Sequence, residues 1–342
     1  MAITIQNLDK KNDNNLNSIL VPKLTSAVTK IALIQNQRKG PLEKNTKKIN
    51  APFGYFGSKN KIALQLCSDL PPHNCWVEAF CGSAALTLAK PQAEIEVIND
   101  IDDEIVNFFK QLRLNSEKLC EQIALTPYAA SELENARTNN ATASDLERAR
   151  RFLVQAMMAI NGIFGEERGG FSHSDSYSRN GKEARVSRWY NLPERLTNVV
   201  ERLRNVRIEN KDALKLLTSY INRPATLVYL DPPYFGDRTN GYSKDANNKQ
   251  FHTKLLRLSN KAKCMIFISG YQNDLYDSIL TTKRGWEKKT IETITKDSSG
   301  NSHKRTEVVW MNKYFVTALK SKQIPITLTN EERKQKKVNP ER

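Results

Sequence analysis

Residues Thr226 to Phe235 read TLVYLDPPYF: a short β-branched and apolar run that ends in one acid, two prolines and an aromatic ring. Leu227, Val228, Tyr229 and Leu230 are apolar on both faces, as a buried parallel strand requires, and Asp231 falls where such a strand leaves its sheet. Ligand chemistry in open α/β sheets takes place at that edge. Pro232 and Pro233 cannot extend a strand interior, and their fixed φ angles stiffen the turn. Asp231 and the Pro232 carbonyl are then two acceptors beside the flat ring of Tyr234, a set suited to an exocyclic amine on a planar base: each acceptor takes one N–H while the ring stacks. A plain polar turn after a strand would show the same letters, so the weight of the motif depends on the elements around it.

Those elements read as alternating strands and helices, which predicts an α/β layer structure. Trp76 to Phe80 (WVEAF) is a second apolar strand, and CGSAALTLAK turns from it directly into a helix. A Gly-Ser turn there is expected to present backbone amides to a polar or anionic ligand group. Ile95 to Ile98 is a third strand, ending in Asn99 and Asp100. Gly82 and Asp100 stand near the roughly 20-residue spacing of a glycine turn and a ribose-binding acid. No G-x-G-x-x-G follows, so a nucleoside cofactor without a pyrophosphate fits better than a dinucleotide. Further strands are predicted over Val206 to Glu209, Cys264 to Ser269, Lys288 to Thr295 and Thr306 to Met311, with Asp212 capping the helix after the first of these.

Upstream, PFGYFGSKNK (Pro52 to Lys61) is loop chemistry leading to a helix over about Lys61 to Leu70, with Lys59 at the edge of any ligand held there. Helical spacing covers Asp102 to Arg113, Ser116 to Ile123 and Asp145 to Ile163. In the last of these Phe152, Leu153, Ala156, Met157 and Ile160 share one side, and the methionines read as core filler. From Gly162 to Trp189 periodicity stops. Twelve arginines lie between Arg137 and Arg207, and Phe171, Tyr177, Trp189 and Tyr190 are interleaved with them, the pattern of a surface that holds phosphates and stacks on bases. Arg168, Arg179, Arg185 and Arg188, read as lying in an aperiodic loop, are the candidates for contacting DNA base edges.

The chain has 342 residues and a net charge of +16, which favours a polyanionic partner. Nucleic acid is preferred to membrane, since no run of about 18 apolar residues is present. Five cysteines without C-x-x-C spacing and four scattered histidines read as reduced thiols in a cytoplasmic protein with no metal site. The expected organisation is a basic arm over 1–50, an α/β domain in two pieces (51–125 and 206–318), an arginine-rich insertion over 126–205, and a charged tail over 319–342.

Six motifs in order, Phe56-Gly57-Ser58-Lys59, Phe80-Cys81-Gly82-Ser83-Ala84, Asn99-Asp100-Ile101, Asp212, Asp231-Pro232-Pro233-Tyr234 and Ser269-Gly270-Tyr271, resemble those of Dam-like adenine-N6 DNA methyltransferases of the alpha group. The resemblance spans roughly residues 51 to 315. It implies a Rossmann-like sheet of about seven strands with a mainly helical target-recognition insertion, S-adenosyl-L-methionine as methyl donor and double-stranded DNA as partner. Residue by residue, it places Tyr55 and Lys59 in the first cofactor contact, Glu78, Phe80, Gly82 and Ser83 around the methionine moiety, Asp100 on the ribose hydroxyls and Asp212 at the cofactor adenine. Asp231, Pro232, Pro233 and Tyr234 would be catalytic, with Asp231 also near the cofactor. Two positions depart from the family pattern: bulky Phe56 in the first motif, and Ala84 where a glycine is usual, which is expected to tighten the turn. A methyltransferase acting on cytosine N4 or an RNA base, and a nucleic-acid-binding module without turnover, are the alternative readings. The recognition sequence and any associated restriction endonuclease are not written in these motifs.

Overall fold

The computed structural model describes residues 49–54, 59–138, 142–160, 162, 169–175, 178–179, 181–233, 235, 249–296 and 302–326. Residues 1–48 of the basic arm, residues 327–342 of the charged tail, Tyr55, Phe56, Arg168, Tyr177 and Tyr234 lie outside them.

Seven strands form one sheet: β1 (Cys75–Glu78), β2 (Ile95–Asn99), β3 (Val206–Glu209), β4 (Thr226–Leu230), β5 (Met265–Gly270), β6 (Glu287–Lys296) and β7 (Ser302–Met311). Their order is β3-β2-β1-β4-β5-β7-β6. The first five pair in parallel, while β7 runs antiparallel to both β5 and β6. The chain therefore leaves β1 in one direction for β2 and β3, and in the other for β4 and β5. A switch of that kind opens a crevice at the carboxyl ends of β1 and β4.

Side-chain alternation divides the core into layers. Cys75 and Val77 of β1, Val228 and Leu230 of β4, and Ile266 and Ile268 of β5 bury one face beneath α9 (Ala213–Thr218), α10 (Lys249–Lys261) and α11 (Asp274–Ile279). On the other face Trp76, Leu227, Tyr229, Met265 and Phe267 meet α1 (Ala63–Cys67), α2 (Ala85–Ala89) and α12 (Lys313–Ser321). The Tyr229 and Phe267 rings stack with centroids 4.6 Å apart. Both faces of β4 are covered, which is why its sequence is an unbroken apolar run.

A third cluster holds the helices α3 (Asp103–Leu114), α4 (Ser116–Leu125), α5 (Ala130–Ala136), α6 (Asp145–Met158), α7 (Ala184–Tyr190) and α8 (Leu192–Leu203). Asp102 caps α3 and Ser144 caps α6. The segment between 126 and 205 shares this one core with α3, α4 and Ile98 of the sheet. Its methionines, Met157 and Met158, are buried in it. The first helix is shorter than its pattern predicts: a 3-10 turn over Lys59–Lys61 leads into only five α-helical residues.

Three expectations for the insertion change. Helix α6 stops at Met158, because Ala159 is extended and bridges Phe171, so Ile160 leaves the apolar side and is exposed. Residues 184–190, expected as loop, form α7. Its anchor is Trp189, fully buried with Nε1 donating to the Thr126 carbonyl at 2.9 Å, so this ring belongs to the core and does not face bases. Several of these arginines are engaged in ion pairs. Arg148 bonds Glu104 and Asp145, Arg150 bonds Glu132 and Glu147, Arg151 bonds Glu147, and Arg207 pairs with Glu209.

Candidate active site

The crevice is built from strand ends. Register pairs Glu78 with Ile98 on one side and with Tyr229 on the other, and Leu230 with Ile268, so the residues following β1, β2, β4 and β5 emerge side by side. Backbone bonds pin the turn after β1: Ala79 N–H donates to the Tyr229 carbonyl at 3.1 Å, and Cys81 N–H to that of Asn99 at 2.8 Å. Asn99 fixes the loop after β3, its Nδ2 donating to the Ala79 and Lys211 carbonyls and its Oδ1 accepting from Lys211 N–H. That tie brings Asp212 to the same edge, where its Oδ1 caps α9 by accepting from Leu214 and Lys215 N–H. Asp212 is the helix cap that its sequence predicts.

Asp231 leaves β4 with its side chain only 17% exposed. Its Oδ1 takes an ion pair from Lys59 Nζ at 2.8 Å and a hydrogen bond from Ser269 Oγ at 2.9 Å. Ser269 in turn lies 2.7 Å from the Tyr229 hydroxyl. Lys59 is 5% exposed and also meets Glu307 Oε1 on β7 at 3.5 Å. Burial alone would lower the Lys59 ammonium, but Asp231 and Glu307 outweigh it and raise the group above its ordinary value, so the lysine is a cation. Pro232 and Pro233 are buried and hold the turn.

The turn from β1 into α2 carries Gly82 at φ +46° and Ala84 at φ +55°, ψ +36°. It does not offer all its amides outward, because Gly82 N–H donates to Asp100 Oδ2 at 2.9 Å. Asp100 Oδ1 accepts from Asp102 N–H at 3.0 Å. Burial raises the Asp100 carboxyl to about 6, against the bonds from these amides. An ionised carboxylate offers about four lone-pair sites, so beside the Gly82, Ile101 and Asp102 amides Asp100 retains an acceptor for a hydroxyl. Ser83 is buried in the turn. Phe80 is half-buried against Phe251 of α10. Glu78 is fully enclosed, and its Oε2 accepts from the Thr87 N–H and hydroxyl, which places it under the start of α2 as a brace. Burial pushes its carboxyl up to about 7 despite those bonds.

Ala84 departs from the family's glycine at a position with left-handed backbone. That geometry costs an L-residue about 1–2 kcal/mol, and glycine nothing. Its methyl is also completely buried, and burial of one such group contributes about 0.8 kcal/mol. Ala84→Gly is therefore expected to shift stability by less than about 1 kcal/mol, while Ala84→Val, β-branched at positive φ in a filled site, loses about 3 kcal/mol. Denaturant unfolding of the two variants measures this, and equal stabilities would contradict the strained turn.

Sequence reading missed two buried acids. Glu307 and Glu96, 4% and 2% exposed, are each the one carboxylate of their strand: Glu96 stands among Ile95, Val97 and Ile98, and Glu307 directly precedes the apolar run Val308 to Met311, their only local signal. Arg185 and Arg188 are exposed on α7, which is helix and not loop, and the Arg179 side chain lies outside the described residues. All five cysteines are free thiols, and among the described residues no cluster of three or more His, Cys, Asp or Glu side chains is arranged for a metal ion. No helix among them is long and apolar enough to cross a membrane.

An open α/β sheet with carboxylates at the switch between β1 and β4, and an Asp-Pro-Pro turn among them, places the chain in the class of α/β proteins whose ligand crevice lies at the strand ends. The chain belongs to the D12 class N6 adenine-specific DNA methyltransferase family, whose family model matches residues 55–296. It is an enzyme of DNA adenine methylation on that ground. No curated protein matches at a significant level. Among solved structures, similar chains include a protein from Pyrococcus horikoshii provisionally described as an RNA methyltransferase, 9% identical, covering 84% of this chain and 97% of that one at a TM-score of 0.34. A provisionally described methylase from Haemophilus influenzae is 10% identical, covering 76% and 91% at 0.33. A SAM-dependent methyltransferase from Agrobacterium tumefaciens is 10% identical, covering 74% and 60% at 0.33.

Proposed function

We propose that the chain methylates adenine N6 in double-stranded DNA using S-adenosyl-L-methionine, with the target base extruded into the crevice at the ends of β1 and β4. The observation that carries this reading is the state of Asp231: one carboxylate oxygen is fixed by Lys59 and Ser269 on a rigid Pro-Pro turn, which leaves Oδ2 for a substrate N–H. An adenine amine is a weak nucleophile because its lone pair is delocalised into the ring. Oδ2 and the Pro232 carbonyl, each accepting one N–H, favour a pyramidal nitrogen with its lone pair turned outward, and the carboxylate stabilises the positive charge that develops on it. Tyr234, following the turn, would stack on the base. The bound cofactor supplies an electrophilic methyl group on a sulfonium sulfur.

The donor set at the crevice fits that cofactor. Asp100 keeps an acceptor for the ribose, Asp212 is tied to the same edge through Asn99 and Lys211, and Phe80, packed on Phe251, adds an apolar ring after β1. Gly82, Ser83 and the braced Glu78 shape the turn beneath the methionine moiety, with Tyr55 and Lys59 completing its contacts. A base inside a duplex cannot bring its amine to Asp231, and extruding it costs a few kcal/mol of stacking.

Recognition of the DNA is assigned to the segment over 126–205, with Arg168, Arg179, Arg185 and Arg188 as its base-edge contacts. Exposure of Arg185 and Arg188 supports this, in contrast to the paired arginines of α6. Incubation with methyl-labelled cofactor and duplex DNA, followed by nucleoside analysis, is expected to yield N6-methyladenine. Label on cytosine, or on RNA alone, would refute the reading. Alanine at Arg185 or Arg188 is expected to cost about 1–3 kcal/mol on the preferred site only, read by methylation of a randomised duplex pool. A variant that keeps its site preference and loses only rate moves recognition elsewhere.

A further inference from the structure

Glu307 has no place in the motif set, yet it sits in the catalytic crevice. It lies on β7, four residues before the strand's end at Met311, in the stretch Thr306-Glu307-Val308-Val309-Trp310-Met311 that is apolar apart from its first two members. Val308 pairs with Gly270 at the carboxyl end of β5, so Glu307 emerges one residue beyond the switch-side edge, level with the residues that follow Ser269. It is 4% exposed, and a carboxylate so enclosed is costly unless a cation and hydrogen bonds hold it. The cation is Lys59 Nζ, at 3.5 Å, the same ammonium that stands 2.8 Å from Asp231 Oδ1.

One buried lysine thus faces two carboxylates with different tasks. Asp231 must present an oxygen to the substrate amine, so it cannot be the lysine's sole anchor without the lysine drawing it away from the base. A second anchor on a different strand fixes Nζ from the other side. Because β7 is hydrogen-bonded to β5 and β5 to β4, Glu307, Ser269 and Asp231 are held by adjacent strands of one sheet, and Lys59 closes the set from the 3-10 turn before α1. The Ser269 hydroxyl donates to the same Oδ1 at 2.9 Å and itself lies 2.7 Å from Tyr229, so Oδ1 is held from two directions.

We infer that Glu307 is a positioning residue for methyl transfer: through Lys59 it locks the Asp231 carboxylate with Oδ1 turned inward and Oδ2 toward the substrate amine. The inference rests on the reaction proposed above. It assigns Glu307 no contact with substrate or cofactor. Its loss is therefore expected in the chemical step and not in binding, and it should have no further effect once Lys59 is gone. Misplacement of a catalytic group by about 1 Å costs on the order of 10²-fold, which sets the scale.

The test is a double-mutant cycle on the full chain with Glu307→Gln, which keeps the side-chain size, and Lys59→Met. Single-turnover methylation of duplex DNA, cofactor affinity by calorimetry and DNA affinity by anisotropy are read on each protein. Glu307→Gln is expected to slow the single-turnover rate by roughly 10- to 100-fold while both affinities stay within about 2-fold, and to slow it no further in the Lys59→Met background. Glu307→Asp, which retains the charge at shorter reach, should recover part of the rate. A parental rate in Glu307→Gln overturns the inference. So does a loss confined to cofactor affinity, or a loss that multiplies in full with that of Lys59→Met. If Glu307→Gln does not fold, Glu307→Asp carries the same cycle. Because the parental protein is assayed alongside, an inactive parent refutes the adenine-methylation reading, whereas an active parent with an unaffected variant refutes only the role of Glu307.

Discussion

Asp231→Ala is expected to lower the rate of methyl transfer by at least about 10²–10³-fold, the scale set by removing one preorganised group that meets charge developing in a transition state. DNA and cofactor affinities should change little. The reason lies in where the carboxylate is engaged: Oδ1 is committed to Lys59 and Ser269, which leaves Oδ2 for the role proposed above, contact with the reacting amine alone. An interaction realised chiefly in the transition state appears in kcat and hardly in binding. Alanine also takes from Lys59 the nearer of its two carboxylates, so the companion variant Asp231→Asn, which keeps the shape and the bond from Ser269 Oγ, separates lost chemistry from a disturbed pocket. Both variants should be slow. A near-parental single-turnover rate in either one would remove Asp231 from the mechanism.

The largest effect on stability is expected away from the crevice, at Glu96. This acid on β2 accepts from Lys90 Nζ at 2.7 Å and from both Arg202 guanidinium nitrogens, Nη2 at 2.9 Å, with its own side chain 1% exposed. Arg202 also donates to the Thr87 carbonyl, and Lys90 to that of Pro91. The network joins α8, the last helix of the insertion, to the sheet and to α2, whose start is braced by Glu78. Deleting the carboxylate leaves two enclosed cations, and breaking a buried pair in this way costs about 3–5 kcal/mol, a large part of the roughly 5–15 kcal/mol that holds a domain folded. Glu96→Ala should therefore move the denaturant midpoint far more than any surface change, and a loss under about 1 kcal/mol would show that the network contributes no net stability. Acid should reproduce the effect. Burial would raise the Glu96 carboxyl, but the two cations outweigh it and hold it below its usual range. The stabilisation is thus complete above about pH 4.3, the ordinary value of the group, and is lost as pH falls through its lower folded value.

The strand-and-turn grammar of the catalytic half was legible in the sequence because it is local. TLVYLDPP announces a doubly buried strand that ends in an acid and a stiff turn, and the structure ends β4 at Leu230 with Asp231 next. Ile95–Asn99, Val206–Glu209 and the cap at Asp212 follow the same logic, since alternation, burial and capping act over a few residues. What the insertion would do was less legible. Residues 184–190 carry little helical periodicity and form a helix because Trp189 finds a buried seat and a carbonyl partner on Thr126. The arginines of α6 looked like a polyanion surface because a charge is visible in sequence and its partner is not: Glu104 and Glu132, which bind Arg148 and Arg150, lie on other helices.

The sequence by itself determined that this chain forms an α/β sheet with acids at its strand ends, and named the family through the order of its motifs. Only the tertiary structure decided which acids meet which cations. Strand order puts β7 beside β5, and that adjacency brings Glu307 within reach of Lys59 and, through it, of Asp231. Coulombic and hydrogen-bond energies depend on distances of a few ångströms between groups from separate strands and loops, and no local spacing encodes such distances.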